Sequence, residues 1–116
     1  MSLTLENITF DCADAAALAD FWARLLERPV DPEASTAFAT VGRGEGASPV
    51  LMFIQVPDKN PGKNVVHLDL HAADWREQIE RAVSLGAKHV GDFAEYGVRW
   101  ATLADPEGNL FDIGAA

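Results

Sequence analysis

The feature that most constrains this chain is that part of it occurs twice. Asn7, Ile8, Thr9, Phe10, Asp11 and Asp14 superpose on His67, Leu68, Asp69, Leu70, His71 and Asp74 at a constant offset of 60 residues. A duplicated unit must build the same local structure twice. In each copy, apolar and polar residues alternate. Ile8, Phe10 and Cys12, with Val66, Leu68 and Leu70, point to one side of a strand. Asn7, Thr9, Asp11, His67, Asp69 and His71 point to the other. The apolar side is expected to carry helices, and the polar side to meet solvent or line a cavity.

Each strand is followed by a helix signal. Leu18, Phe21, Trp22, Leu25 and Leu26 form the stripe of a helix with one buried face, with Asp14 as N-cap and Pro29 as a stop. Trp75, Ile79, Ala82 and Val83 repeat that spacing, with Asp74 as N-cap, Glu77 as capping-box partner and Gly86 as terminator. Trp22 and Trp75 are assigned to the core. Short strands and turns follow each helix: 37–41 and 49–56 around the glycine-rich turn 42–46, then 89–93, 98–103 and 110–113. The Gly42–Gly46 turn is no nucleotide fingerprint, because no helix follows it. The expected fold class is α+β, with two tandem βαβββ modules forming a curved mixed sheet around a cleft. The chain reads as a single domain over 1–116: module one 1–57, a Pro-, Gly- and Asn-rich linker 58–64, and module two 65–116.

Composition removes several function classes. With 116 residues and 48% hydrophobic content, a core can form without staples. The one cysteine, Cys12, permits no internal disulfide, and a reducing cytoplasm is the expected setting. Its strand position predicts a buried, inert thiol. No signal-peptide pattern and no membrane-length apolar run occurs, so no membrane is expected as a partner. A net charge of -9 opposes the counterion release that drives nucleic-acid binding, so no nucleic acid is expected either.

The stretches Ile8–Asp14 followed by Phe21 and Trp22, Phe53–Asp58, His67–Leu70, Leu85–Ala87 and Asp105–Asp112 together resemble the vicinal oxygen chelate superfamily. That superfamily includes glyoxalase I, bleomycin- and fosfomycin-resistance proteins and extradiol dioxygenases, and the chain looks most like its compact glyoxalase-like domain branch. The resemblance implies a cleft that often holds a divalent metal, and a homodimer. It carries the metal-ligand positions onto Asn7, Ile54, His67 and Asp112.

His67 and Asp112 are two members of a set that suits zinc, nickel or iron, or with added waters manganese or magnesium. Asn7 adds a weak neutral oxygen and Ile54 adds none. His71 cannot join His67, because four strand residues separate them by about 13 Å. His89 shows no link to either. Gln55, Asp69 and Asp11 are further polar candidates. With a metal, Asp112 and Asp69 are the bases to test. Glyoxalase I chemistry wants a carboxylate where Ile54 stands, and extradiol cleavage a histidine where Asn7 stands.

Trp100, Tyr96 and Phe38 are candidate substrate-binding walls, with Arg99 or Asp69 orienting a polar ligand end. For Trp100 and Phe38 the alternative is core packing. Three functions remain open: a metal-dependent lyase, isomerase or dioxygenase acting on a small oxygenated molecule, a metal-free protein that sequesters a small molecule, and a non-catalytic ferredoxin-like regulatory domain.

Overall fold

In the computed structural model, residues 5–58, 64, 66–95 and 97–115 are described. The elements run β1 (Asn7–Cys12), α1 (Ala15–Leu26), β2 (Phe38–Val41), β3 (Val50–Gln55), β4 (Leu68–Ala72), α2 (Trp75–Leu85), β5 (Lys88–Glu95), β6 (Val98–Ala104) and β7 (Leu110–Ala115). They divide into two compact units, residues 1–60 and 61–116. Residues 59–63 of the expected linker lie outside the described residues. No described helix is long and apolar enough to cross a membrane.

Each unit has its own mixed sheet. In the second, the strand order is β4-β7-β6-β5, with β4 parallel to β7 and the other neighbours antiparallel. In the first, the order is β1-β3-β2, again with the first strand parallel to the last. The counterpart of β5 shrinks there to a single bridge between Val30 and Val41. Both units are therefore βαβββ modules, and the fold is α+β.

Burial follows the alternation in the sequence. In module one, Leu18, Phe21, Trp22 and Leu25 of α1 are buried, and α1 packs on β2 and β3. Phe10 stacks on Phe53 at 5.1 Å and tilts against Trp22 at 5.6 Å. Each such side chain contributes roughly 1.5–3 kcal/mol of burial. Cys12 is fully buried, with its Sγ 3.5 Å from the Ile54 carbonyl. In module two, Ala101, Leu103, Phe111 and Ile113 are buried on one face of the sheet, and α2, with buried Ile79 and Ala82, packs against that sheet.

Helix α1 ends at Leu26, three residues ahead of Pro29: Glu27 takes a left-handed conformation at φ 56° and donates its N–H to the Ala23 and Arg24 carbonyls. Several local expectations are corrected. Asp74 stands at the N-cap of α2, but its carboxylate accepts from the Gln78 side chain at 3.1 Å and forms no cap bond. Trp75 is half-buried with the Arg76 guanidinium 4.8 Å over its ring, because it sits at the open first turn. Val83 is exposed, the helix stripe being narrower than its apolar residues. Val66 precedes β4 and is exposed too.

Asp31 ties down the glycine-rich turn of module one. Its carboxylate accepts from Thr40 Oγ1 at 2.7 Å, Gly44 N at 2.7 Å and Arg43 N at 2.9 Å. Burial pushes its pKa up, but the bonds from Thr40, Gly44 and Arg43 and the Arg43 charge outweigh this and hold it below 3.8. A carboxyl lowered in the folded state stabilises above its unfolded pKa, and that stability is lost as pH falls through the folded value. The difference in urea unfolding free energy between wild type and Asp31→Asn should be full near neutral pH and shrink below 3.8.

Candidate functional site

The parallel pairing of β4 with β7 sets Asp69 beside Asp112, and the antiparallel pairing of β7 with β6 sets Asp112 beside Thr102. These three side chains form one row across the sheet, on the face opposite Phe111 and Ile113. Three local devices fix the row. Asp105, 4% exposed, closes the β6–β7 turn by accepting from Glu107 N, Asn109 N and Asn109 Nδ2 at 2.8–2.9 Å. Gly108 supplies the positive φ of 87° that this turn requires. Asn64 brackets the start of β7, accepting from Leu110 N at 2.8 Å and donating to the Leu110 carbonyl at 3.2 Å. The Asn64 amide also donates to the Val66 carbonyl, one residue before His67.

His67 leans over this row. Its Nε2 lies 3.3 Å from Asp69 Oδ1 and 3.5 Å from Asp112 Oδ2. Asp112 is held from its other side, where Thr102 Oγ1 donates to Oδ1 at 2.6 Å. Asp112 is the enclosed member at 20% side-chain exposure, against 44% for His67 and 74% for Asp69. One ligand atom from each of the three lies within 4.8 Å of the others. An imidazole and two carboxylates converging at that spacing fit a divalent ion such as zinc, iron or manganese, and leave positions open for another molecule.

A cavity of about 310 Å³ adjoins this cluster, lined by Asp69 and Asp112 together with Trp100, Arg99, Val98 and Gly114. Trp100 is half-buried and stacks on Phe93 at 5.5 Å, with 20° between the rings. The ring in the cavity wall is that of Trp100, and Phe93 supports it by this stack. Gly114 lies opposite Trp100 in the register, and a Cβ there would stand 3.2 Å from the Arg99 carbonyl oxygen and 3.4 Å from Trp100 Cβ.

The structure thus brings His67, Asp69 and Asp112 together, and sets Trp100 and Arg99 beside them. Tyr96 lies outside the described residues. Asn7 and Phe38 belong to module one: the Asn7 amide donates to Thr9 Oγ1 at 3.2 Å, and Phe38 is exposed opposite Ile54 at the start of β2. Gln55 donates to the Ala13 carbonyl at 2.9 Å, Asp11 is exposed, and His89 pairs with Asp92 at 2.8 Å. The registers also correct one correspondence. Thr9 pairs with Met52 as Asp69 pairs with Asp112, so the counterpart of Asp112 in module one is Met52, and Ile54 answers to Gly114. Sequence reasoning missed Thr102 and Phe93. The alternation from Trp100 to Thr102 carried the first signal, and position 93, the last residue of an expected strand, the second.

The glyoxalase-like domain family model matches residues 7–114. The chain belongs to the glyoxalase-like domain family. Among the solved structures similar in fold is one described as a glyoxalase/bleomycin resistance protein/dioxygenase family enzyme. A family enzyme from Burkholderia phytofirmans PsJN is 17% identical, with a TM-score of 0.79 over 97% of this chain and 98% of that one. The fosfomycin resistance protein FosX from Listeria monocytogenes is 16% identical, with a TM-score of 0.77 over 100% and 95%. A bleomycin-binding protein solved with bleomycin is 21% identical, with a TM-score of 0.64 over 95% and 96%. At these identities the likeness establishes the fold. No curated protein sequence matches the chain significantly.

Gly114→Ala tests how tightly the glyoxalase-like module is closed beneath Trp100. Overpacking against a backbone oxygen outweighs the lower chain entropy of alanine, so a loss of about 1 kcal/mol is expected in urea unfolding.

Proposed function

We propose that this glyoxalase-like domain, a single domain of two modules, binds a divalent metal ion through His67, Asp69 and Asp112. The adjoining cavity then takes a small oxygenated molecule, and the reaction is of the lyase, isomerase or dioxygenase kind. The observation that carries this reading is the convergence of the three ligand atoms within 4.8 Å beside that cavity. A bound ion would polarise substrate oxygen and stabilise developing negative charge. The chain's own residues supply the rest. Thr102 fixes the Asp112 carboxylate, so its second oxygen keeps its direction toward His67. We assign Asp69, the most exposed of the three and part of the cavity wall, a second role beside holding the ion, that of taking a proton from the molecule and returning it. Trp100 presents an apolar wall to the ligand, while the side chain of its neighbour Arg99 alternates to the other face of β6.

The stacked pair Phe93 and Trp100 favours a second reading, in which the same cavity holds a planar molecule without metal or turnover. The bleomycin-bound neighbour supports that alternative. We place the protein in the cytoplasm, on the reduced state expected of its single cysteine, and expect it to act as a homodimer.

Zinc and manganese titrations of the full chain, followed by calorimetry and elemental analysis, separate the readings. The metal reading expects one bound ion per chain, lost in His67→Ala and in Asp112→Asn. Thr102→Val should weaken the ion by about tenfold or more without abolishing it, the usual effect of removing a group that orients a ligand. A wild-type chain that takes up neither ion overturns the metal reading.

A further inference from the structure

The eight residues of β5 form the outer edge of their sheet, and no described strand pairs with their far side. Almost every side chain on β5 is exposed, including Val90 and Phe93. An open row of backbone donors and acceptors is a template for another strand, and proteins ordinarily cover or interrupt it. The strand carries Lys88 at one end and Glu95 at the other.

A bulge decides what this edge fits. The register of β5 on β6 slips between His89 and Gly91, leaving Val90 as the extra residue. Lys88 pairs with Ala104 and Glu95 with Val98, and those two residues of β6 are an even number apart. Lys88 and Glu95 therefore face the same side of the sheet, although seven positions separate them; without the bulge they would face opposite sides. Two copies of one strand paired antiparallel about a two-fold axis require the residues set opposite each other to share a face. The bulge supplies that condition.

We propose that β5 is a self-complementary edge that pairs antiparallel with β5 of a second copy of this chain. With Val90 set aside, the pairing places Lys88 opposite the second copy's Glu95, and Glu95 opposite its Lys88. His89 then faces Ala94, and Gly91, against which the Phe93 ring of its own chain already packs, faces the second copy's Phe93. Asp92 meets its own copy at the axis, a like-charge pair that weakens the association, although each Asp92 also contacts His89 of the same chain at 2.8 Å. The inference names a surface for the homodimer and is independent of whether the metal cluster is functional. An edge pairing of this length buries less than the roughly 1,200 Å² of a standard interface, so the association is weak.

Sedimentation equilibrium of the full chain, up to about 1 mM, the range of weak association, provides the test. Wild type should dimerise. Lys88→Glu and Glu95→Lys, which each turn both attractive pairs into repulsive ones, should raise the dissociation constant by about tenfold. An equimolar mixture of the two variants should regain wild-type association, because the paired carboxylates at both ends of β5 in the first variant then meet the paired ammonium groups of the second. Recovery also shows that both variants are folded. A wild type that stays monomeric, single variants that associate as wild type does, or a mixture that fails to recover would each overturn the proposal.

Discussion

The parallel register of β4 on β7 is the constraint from which the candidate site follows. It joins strands separated in sequence by α2, β5 and β6, and it sets Asp69 against Asp112. Side chains alternate with a period of two, so a slip of one residue would turn Asp69 toward the helix and bring Leu68 or Leu70 out in its place. The buried Phe111 and Ile113 resist such a slip, since their burial beneath α2 depends on the same register. The hydrophobic face thus enforces the geometry of the polar one. Asp105 and Asn64 add to this by fixing where β7 begins.

Much of this was legible in the sequence because the repeat and the alternation have direct physical meaning. The offset of 60 between Asn7 and His67 located both modules, and the two helix stripes located their cores. His67 and Asp69 could be assigned to polar strand positions by counting alone, and Asp112 came from the family resemblance. What counting could not supply was where the strands slip. The bulge at Val90 leaves no signature in residue type, and the pairing of Thr9 with Met52 had to be seen before Ile54 could be replaced as the counterpart of Asp112. Thr102 went unnoticed because threonine is ordinary in a strand, and its hydroxyl matters only through the neighbour that the register provides. Trp75 and Val83 were placed inside on the strength of hydrophobicity, whereas α2 buries only a narrow stripe.

The two modules share a backbone plan and differ in what their polar faces carry. At the positions of His67, Asp69 and Asp112, module one has Asn7, Thr9 and Met52, so its ligand capacity is slight. Its threonine counterpart of Thr102 is Thr40, since Thr40 pairs with Met52 as Thr102 pairs with Asp112. Thr40 turns its hydroxyl to Asp31 and so helps to anchor a loop. The same group on the same strand thus orients a candidate ligand in one copy and secures the scaffold in the other.

That correspondence of Thr40 to Thr102 also records how the copies drifted in length. The offset is 60 at Thr9, 62 at Thr40 and 60 again at Met52. Module two is thus two residues longer from its first strand to this strand, and two shorter from this strand to the last. Insertions and deletions have been absorbed where the chain turns, while the spacing from first strand to last has returned to its starting value. Loop length in this scaffold is free to vary, and the distance along the chain that brings a module's opening and closing strands together has been kept.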